Sequence, residues 1–110
     1  MEEIRARFER AIYREHAIDR MIERNIRPRM VQEAIYDDNA EVIEHYPDDV
    51  YGPCCTVFGR CKSGVPLHVR ISLSDPPYII TVYDPSADTK SRWEPDLKTR
   101  RRRPPPEEER

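Results

Sequence analysis

The sequence predicts an α+β domain in which two N-terminal helices pack on one face of a four-stranded antiparallel sheet. Three observations lead there. Apolar residues recur at helical spacing up to about Asp38, they alternate at strand spacing beyond it, and the strands follow one another through short, turn-rich connections. A chain of 110 residues has room for one hydrophobic core and not for two, which places a single domain at residues 1–97.

The first helical stretch runs from about Glu3 to Asn25. Ile4, Phe8, Ala11 and Ile12 form one stripe and Ala17, Ile18, Met21 and Ile22 another, with room for an interruption near Tyr13 to Glu15. "NIRP" breaks the stretch, and Pro28 suits the first position of a second helix, "PRMVQEAIYDD", whose Met30, Val31, Ala34 and Ile35 share a face. Arg27 is a poor cap in front of it.

Four strands follow. "EVIEHY" is the first and "CCTVFGRC" the second, with "PDD" and "YGP" as punctuation between them. "KSG" is a tight turn in which Gly64 takes the positive φ that other residues resist. "GVPLHVRISLSDPPYIITVYDP" supplies the third and fourth strands as a hairpin.

In the third strand Leu67, Val69, Ile71 and Leu73 alternate with His68, Arg70, Ser72 and Ser74. In the fourth, Ile80 and Val82 oppose Thr81 and Tyr83, with Ile79 on the polar side. A four-residue loop, Asp75 to Tyr78, keeps like opposite like: Arg70 faces Tyr83, Ser72 faces Thr81 and Ile71 faces Val82. The face left free by the helices then carries His68, Arg70, Thr81 and Tyr83.

Charge is unevenly spread. Residues from Lys98 onward hold six basic and three acidic side chains; removing them from the totals of 19 and 21 leaves 13 against 18 in residues 1–97, a balance of −5. Such a body does not grip nucleic acid over its whole surface, although a local basic cleft is compatible with it. Residues 98–110, an arginine run, three prolines and "EEER", have little apolar surface to bury and read as a disordered tail, either a solvated end or a contact for RNA or an acidic partner.

The charged N-terminus lacks the apolar stretch of a secretory signal, and no run is long enough to span a membrane, so a cytoplasmic protein is expected. Cys54, Cys55 and Cys61 are odd in number and match no zinc-ligand spacing, so packing as free thiols is the expectation, with no metal and no cofactor. Asp48 and Asp49, flanked by proline and glycine, read as a turn rather than a carboxylate pair.

Two groups carry candidate chemistry. His16 and Arg20 stand four apart on the first helical stretch, at the rim of its apolar stripe, where a packing histidine and a surface ion pair are the plainer reading. His68, Arg70, Thr81 and Tyr83 share a sheet face, and the plainer reading there is a wetted polar surface. Together they suit a phosphodiester: a histidine to move a proton, guanidinium groups to neutralise the transition state, a phenol to hydrogen-bond or stack. An RNA 2′-hydroxyl as nucleophile would make a metal unnecessary.

"HAIDRMIERNI", "YPDDVYGP", "VFGRCKSGVPLHVRI" and "IITVYDPSADTKSRWEPDLKTRRR", in this order and spacing, resemble the bacterial family called domain of unknown function 4258, over roughly His16 to Arg102. "HAxxRM", "PLHV" and "TVYDP" are the specific parts; Arg27 and the two adjacent cysteines depart from the pattern. The resemblance implies distant kinship with the RelE-like toxins, small ribonucleases with helices packed on an antiparallel sheet, often paired with a small zinc-finger antitoxin-like protein. Its polar motif positions fall on His16, Arg20, His68, Thr81 and Tyr83; Arg70 is added from the strand face.

The expectation is therefore a metal-independent endonuclease acting on RNA or ribosome-bound mRNA. His68 is its acid or base with His16 as counterpart, Arg20 and Arg70 hold the phosphate, and Thr81 and Tyr83 position the substrate. The competing expectation is a non-catalytic module that binds a protein through the same face, which the −5 balance favours.

Overall fold

The computed structural model describes residues 1–50, 52–87 and 92–101. Helix α1 (Glu2–Arg10) leads to a two-residue strand β1 (Ile12–Tyr13), then to α2 (Glu15–Glu23) and α3 (Pro28–Ile35). Strands β2 (Glu41–Tyr46), β3 (Cys54–Arg60), β4 (Pro66–Ser72) and β5 (Tyr78–Tyr83) follow, and a 3-10 turn at Pro85–Ala87 leaves the sheet. The sheet order is β1-β5-β4-β3-β2, antiparallel throughout except that β1 runs parallel to β5.

The α+β class stands, but the expected two helices are three and the expected four antiparallel strands are five in a mixed sheet. Both differences have one cause. The edge of β5 presents the carbonyls of Pro77 and Ile79, and the amides of Ile12 and Arg14 satisfy them, which draws Ile12 and Tyr13 out of helix. The long first helical stretch is thereby cut near Tyr13 into α1 and α2.

Helix α2 ends where Asn25 takes a left-handed φ of 57°, and the amide of Ile26 closes back onto Met21 O. Ile26 is thus turned into the core. Pro28 opens α3. Arg5 ties α1 to the end of α3 by donating to Ile35 O and Asp37 O, while Arg7 reaches Leu73 O beyond β4.

The core lies between the helices and one sheet face. Ile4, Met21, Val31, Ala34 and Ile35 meet Cys55, Val57, Leu67, Val69, Ile71, Ile79 and Val82. Helix α3 approaches β3 at Gly59, where a Cβ would stand 1.9 Å from Ala34 O, so only a hydrogen fits. Gly64 has the expected positive φ, 93°.

The hairpin register differs from expectation. His68 faces Tyr83, Val69 faces Val82, Arg70 faces Thr81 and Ile71 faces Ile79, with a bulge between Arg70 and Ile71 that leaves Ile80 as the extra residue. The bulge turns Ile79 into the core, against its expected place on the polar side. Ser72, expected opposite Thr81, instead accepts the amide of Tyr78 on its Oγ and closes the loop.

Among the described residues no helix is long and apolar enough to cross a membrane. All three cysteines are buried and free. Lys98 and Arg100, in the stretch that the sequence reads as a disordered tail, pair with Glu41 and Glu44 of β2; residues 102–110 of that stretch lie outside the described residues.

Replacing Gly59 by alanine is expected to destabilise the protein by about 1–3 kcal/mol, by pushing α3 off the sheet. Urea unfolding of G59A beside the wild type measures this, and an unchanged midpoint would mean that the helix yields freely.

Candidate functional site

The sheet face turned away from the helices carries Cys54, Thr56 and Phe58 on β3, His68, Arg70 and Ser72 on β4, and Thr81 and Tyr83 on β5. Residues 92–101 fold back over part of it as a small hairpin. Trp93 bridges to Arg100, the amide of Arg101 donates to Arg92 O and that of Glu94 to Thr99 O. The Asp96 carboxylate accepts the amides of Lys98 and Thr99 and the Thr99 hydroxyl, which fixes the turn. These bonds also hold its pKa below the usual carboxylate range.

His68 joins this hairpin to the sheet. Its side chain is wholly buried, with the rings of Trp93, Tyr83 and Phe58 edge-on at 4.4, 5.1 and 5.6 Å. Nε2 bonds the carbonyl of Leu97, and Nδ1 lies 3.0 Å from the Tyr83 hydroxyl. A carbonyl only accepts, so Nε2 carries the proton of the neutral ring and Nδ1 receives the Tyr83 O–H. Leu97 itself sits at φ 61°, a left-handed conformation rare outside glycine.

Burial lowers the His68 pKa, although the Leu97 carbonyl and Glu44 act to raise it. Burial likewise pushes the Tyr83 phenol up to about 12. Arg100 grips Glu44 through Nε at 2.6 Å and Nη2 at 3.4 Å and lies over the Trp93 ring, while Lys98 pairs with Glu41. Burial alone would raise the Glu44 carboxyl, but hydrogen bonds from Arg100 and Tyr46 leave it lowered, so the clasp stays charged. Burial raises the Cys54 thiol and takes Cys55 up to about 11, well away from a reactive thiolate.

Beside the hairpin opens a cavity of about 550 Å³. Arg24, Arg70, Arg92 and Arg100 line it together with Thr56, Thr81, Tyr83, Asp84 and Trp93. Arg24 arrives from the end of α2 around the sheet edge, donating to Val82 O at 2.9 Å. Arg70 stacks over Tyr46 and stands 3.8 Å from Asp49, yet its Nε is buried with no hydrogen-bond partner. Asp84 accepts from the amide and hydroxyl of Ser86.

Of the residues singled out by sequence, Arg70, Thr81 and Tyr83 line the cavity and His68 stands behind Tyr83. His16 and Arg20 do not line it. His16 borders a separate hollow with Arg14, Glu15 and Asp19, and Arg20 pairs with Glu23 in solvent. Sequence reasoning missed Arg24, Asp84, Trp93, Leu97 and Arg100. Arg24 had a signal, four residues beyond Arg20; the others belong to segments without periodicity.

With this geometry in place, comparison with known proteins gives one match. The family model for the domain of unknown function 4258 covers residues 13–84. The chain belongs to that family. The matched span holds α2, α3 and strands β2 to β5 and stops before residues 92–101, short of the reach to Arg102 that the sequence motifs suggested. No curated protein and no solved structure matches the chain.

Because folding depresses the His68 pKa, the unfolded chain binds more protons there, and its contribution to stability is complete above about pH 6.5 and declines as pH falls below it. Ring-proton NMR should show His68 titrating below the ordinary histidine value of about 6.5, and urea midpoints should fall as pH drops below that value. A His68 resonance that titrates like a free histidine would contradict this.

Proposed function

We propose that this protein is a metal-independent RNA endonuclease of the RelE-like toxin type, with the arginine-lined cavity as its phosphodiester site. The observation that carries the reading is Arg70: a guanidinium N–H buried without an acceptor, on the wall of a cavity shared with Arg24, Arg92 and Arg100. The unpaired Nε leaves that guanidinium short of one acceptor, while the residue lines the cavity, and guanidinium groups match a phosphate's paired oxygens.

The proton route follows from the hydrogen-bond order. Tyr83 gives its own proton to Nδ1 of His68, so its oxygen presents lone pairs toward the cavity and accepts from a ribose 2′-hydroxyl. The 2′-oxygen attacks phosphorus as its proton passes to Tyr83 and that of Tyr83 to His68. The P–O5′ bond breaks, leaving a 2′,3′-cyclic phosphate and a 5′-oxygen protonated by water. Leu97 O holds the imidazolium that forms, and the arginines offset the charge growing on the phosphoryl oxygens. Thr81 and Thr56 lie where they contact the ribose or phosphate.

His68 thus acts from behind Tyr83 rather than on the substrate, and His16 has no part in the step. A small zinc-finger antitoxin-like partner that covers the cavity mouth would silence the site. A second reading, a non-catalytic protein-binding module, draws on the −5 balance of residues 1–97, which repels a long polyanion from most of the surface.

Purified wild type is expected to cleave single-stranded RNA or ribosome-bound mRNA and its induction to arrest growth. Arg70→Ala should lower the cleavage rate by about 10²–10³-fold. Tyr83→Phe should abolish the proton transfer while leaving RNA affinity nearly unchanged. Intact RNA under both conditions, with normal growth, would overturn the nuclease and leave the binding module.

A further inference from the structure

Helix α2 separates its charges by row. His16, Arg20 and Arg24 stand four apart, as do Glu15, Asp19 and Glu23 on the adjoining row. Residues four apart lie on one helix face about 6 Å along the axis, so each row is a line of side chains at one-turn intervals. The core side of the helix is Ala17 and Met21.

The basic row has a defined end. Arg24, its last member, is both the C-cap of α2 and a wall of the arginine cavity, anchored to Val82 O on the edge of β5. Arg20 and His16 continue from it along the exposed helix. Among the described residues Arg20 pairs with Glu23 at 3.4 Å, with both side chains largely in solvent, a pair that a stronger anion displaces at little cost.

We propose that His16, Arg20 and Arg24 form a track for the backbone of single-stranded RNA, leading the strand along α2 into the arginine cavity. The proposal rests on the phosphodiester reading of that cavity and adds how the strand approaches it. One-turn spacing is of the order of the separation between successive phosphates of an extended strand, so neighbouring phosphates meet the Arg24 and Arg20 guanidinium groups in turn, with the His16 ring beyond them to hydrogen-bond the next. The acidic row of Glu15, Asp19 and Glu23 flanks the track and repels a backbone that strays sideways, which sets the path of a polyanion across a body of net negative charge.

The test compares a ribodinucleotide, long enough for the cavity alone, with a longer uncleavable 2′-deoxy or 2′-methoxy single strand. Wild type should bind the longer strand more tightly and with a steeper salt dependence. Arg20→Ala should leave dinucleotide affinity unchanged and flatten the salt slope for the strand by about 0.7 for the lost phosphate contact. Glu23→Gln, which frees Arg20 and removes a repelling charge, should strengthen strand binding instead.

A length advantage and salt slope that neither Arg20→Ala nor Glu23→Gln changes, with Arg70→Ala still abolishing dinucleotide binding, would overturn the track and leave the cavity reading intact. Failure of wild type to bind either RNA would overturn the cavity reading and the track with it. Binding of polyglutamate that depends on Arg20 as strongly as RNA binding does would overturn the track in favour of an acidic protein partner.

Discussion

The bonding of one buried imidazole, His68, governs the arrangement of the whole non-helical sheet face. A neutral ring has one donor and one acceptor, and here each is used once: the donor on the Leu97 carbonyl, the acceptor on the Tyr83 hydroxyl. A buried ring with either nitrogen unpaired would lose about 1–3 kcal/mol to desolvation, so the hairpin of residues 92–101 and the side chain of Tyr83 are fixed together. The aromatic edges of Phe58, Tyr83 and Trp93 close the remaining sides of the ring and keep water from competing for those bonds. The cavity beside it has its shape because this contact holds the two walls in register.

Electrostatics on the same face is organised by neutralising selected arginines and sparing part of another. Arg100 is committed to Glu44 and Trp93, Lys98 to Glu41, and Arg24 to a backbone carbonyl. Arg70 faces Asp49 at a distance too long for a strong bond and holds its Nε unsatisfied. An anion in this cavity therefore meets positive charge already oriented by the protein and does not have to order long, free side chains.

Much of the fold was legible because its signals are periodic. Alternation along Leu67–Ser74 separates the core face from the polar face of β4, and Pro28 marks the start of α3. The register of β4 with β5 was not legible, since a two-residue slip keeps every face unchanged and only the pairing within the face moves, setting Tyr83 beside His68 instead of Arg70. Nor does alternation reveal a bulge, which is how Ile79 reaches the core. Strand β1 is too short to carry a period at all. Of the site, the sheet residues followed from alternation, while Trp93, Leu97 and Arg100 could not, because "RWEPDLKTRR" owes its shape to an aspartate-centred turn and long-range contacts rather than to a repeating pattern.

The close approach of Ala34 to Gly59 is one end of a larger division of labour. The sheet places all helix packing on one side and the arginine cavity on the other, with the strand backbones between them. A side chain on the cavity side can therefore change in size or charge without disturbing the apolar packing beneath it. The matched span 13–84 supplies the floor of the cavity, and residues 92–101 supply its roof. Floor and roof are separable parts of one site: a different segment laid over the same sheet, beside the Arg24 that α2 contributes, would give a different pocket over the same helix packing.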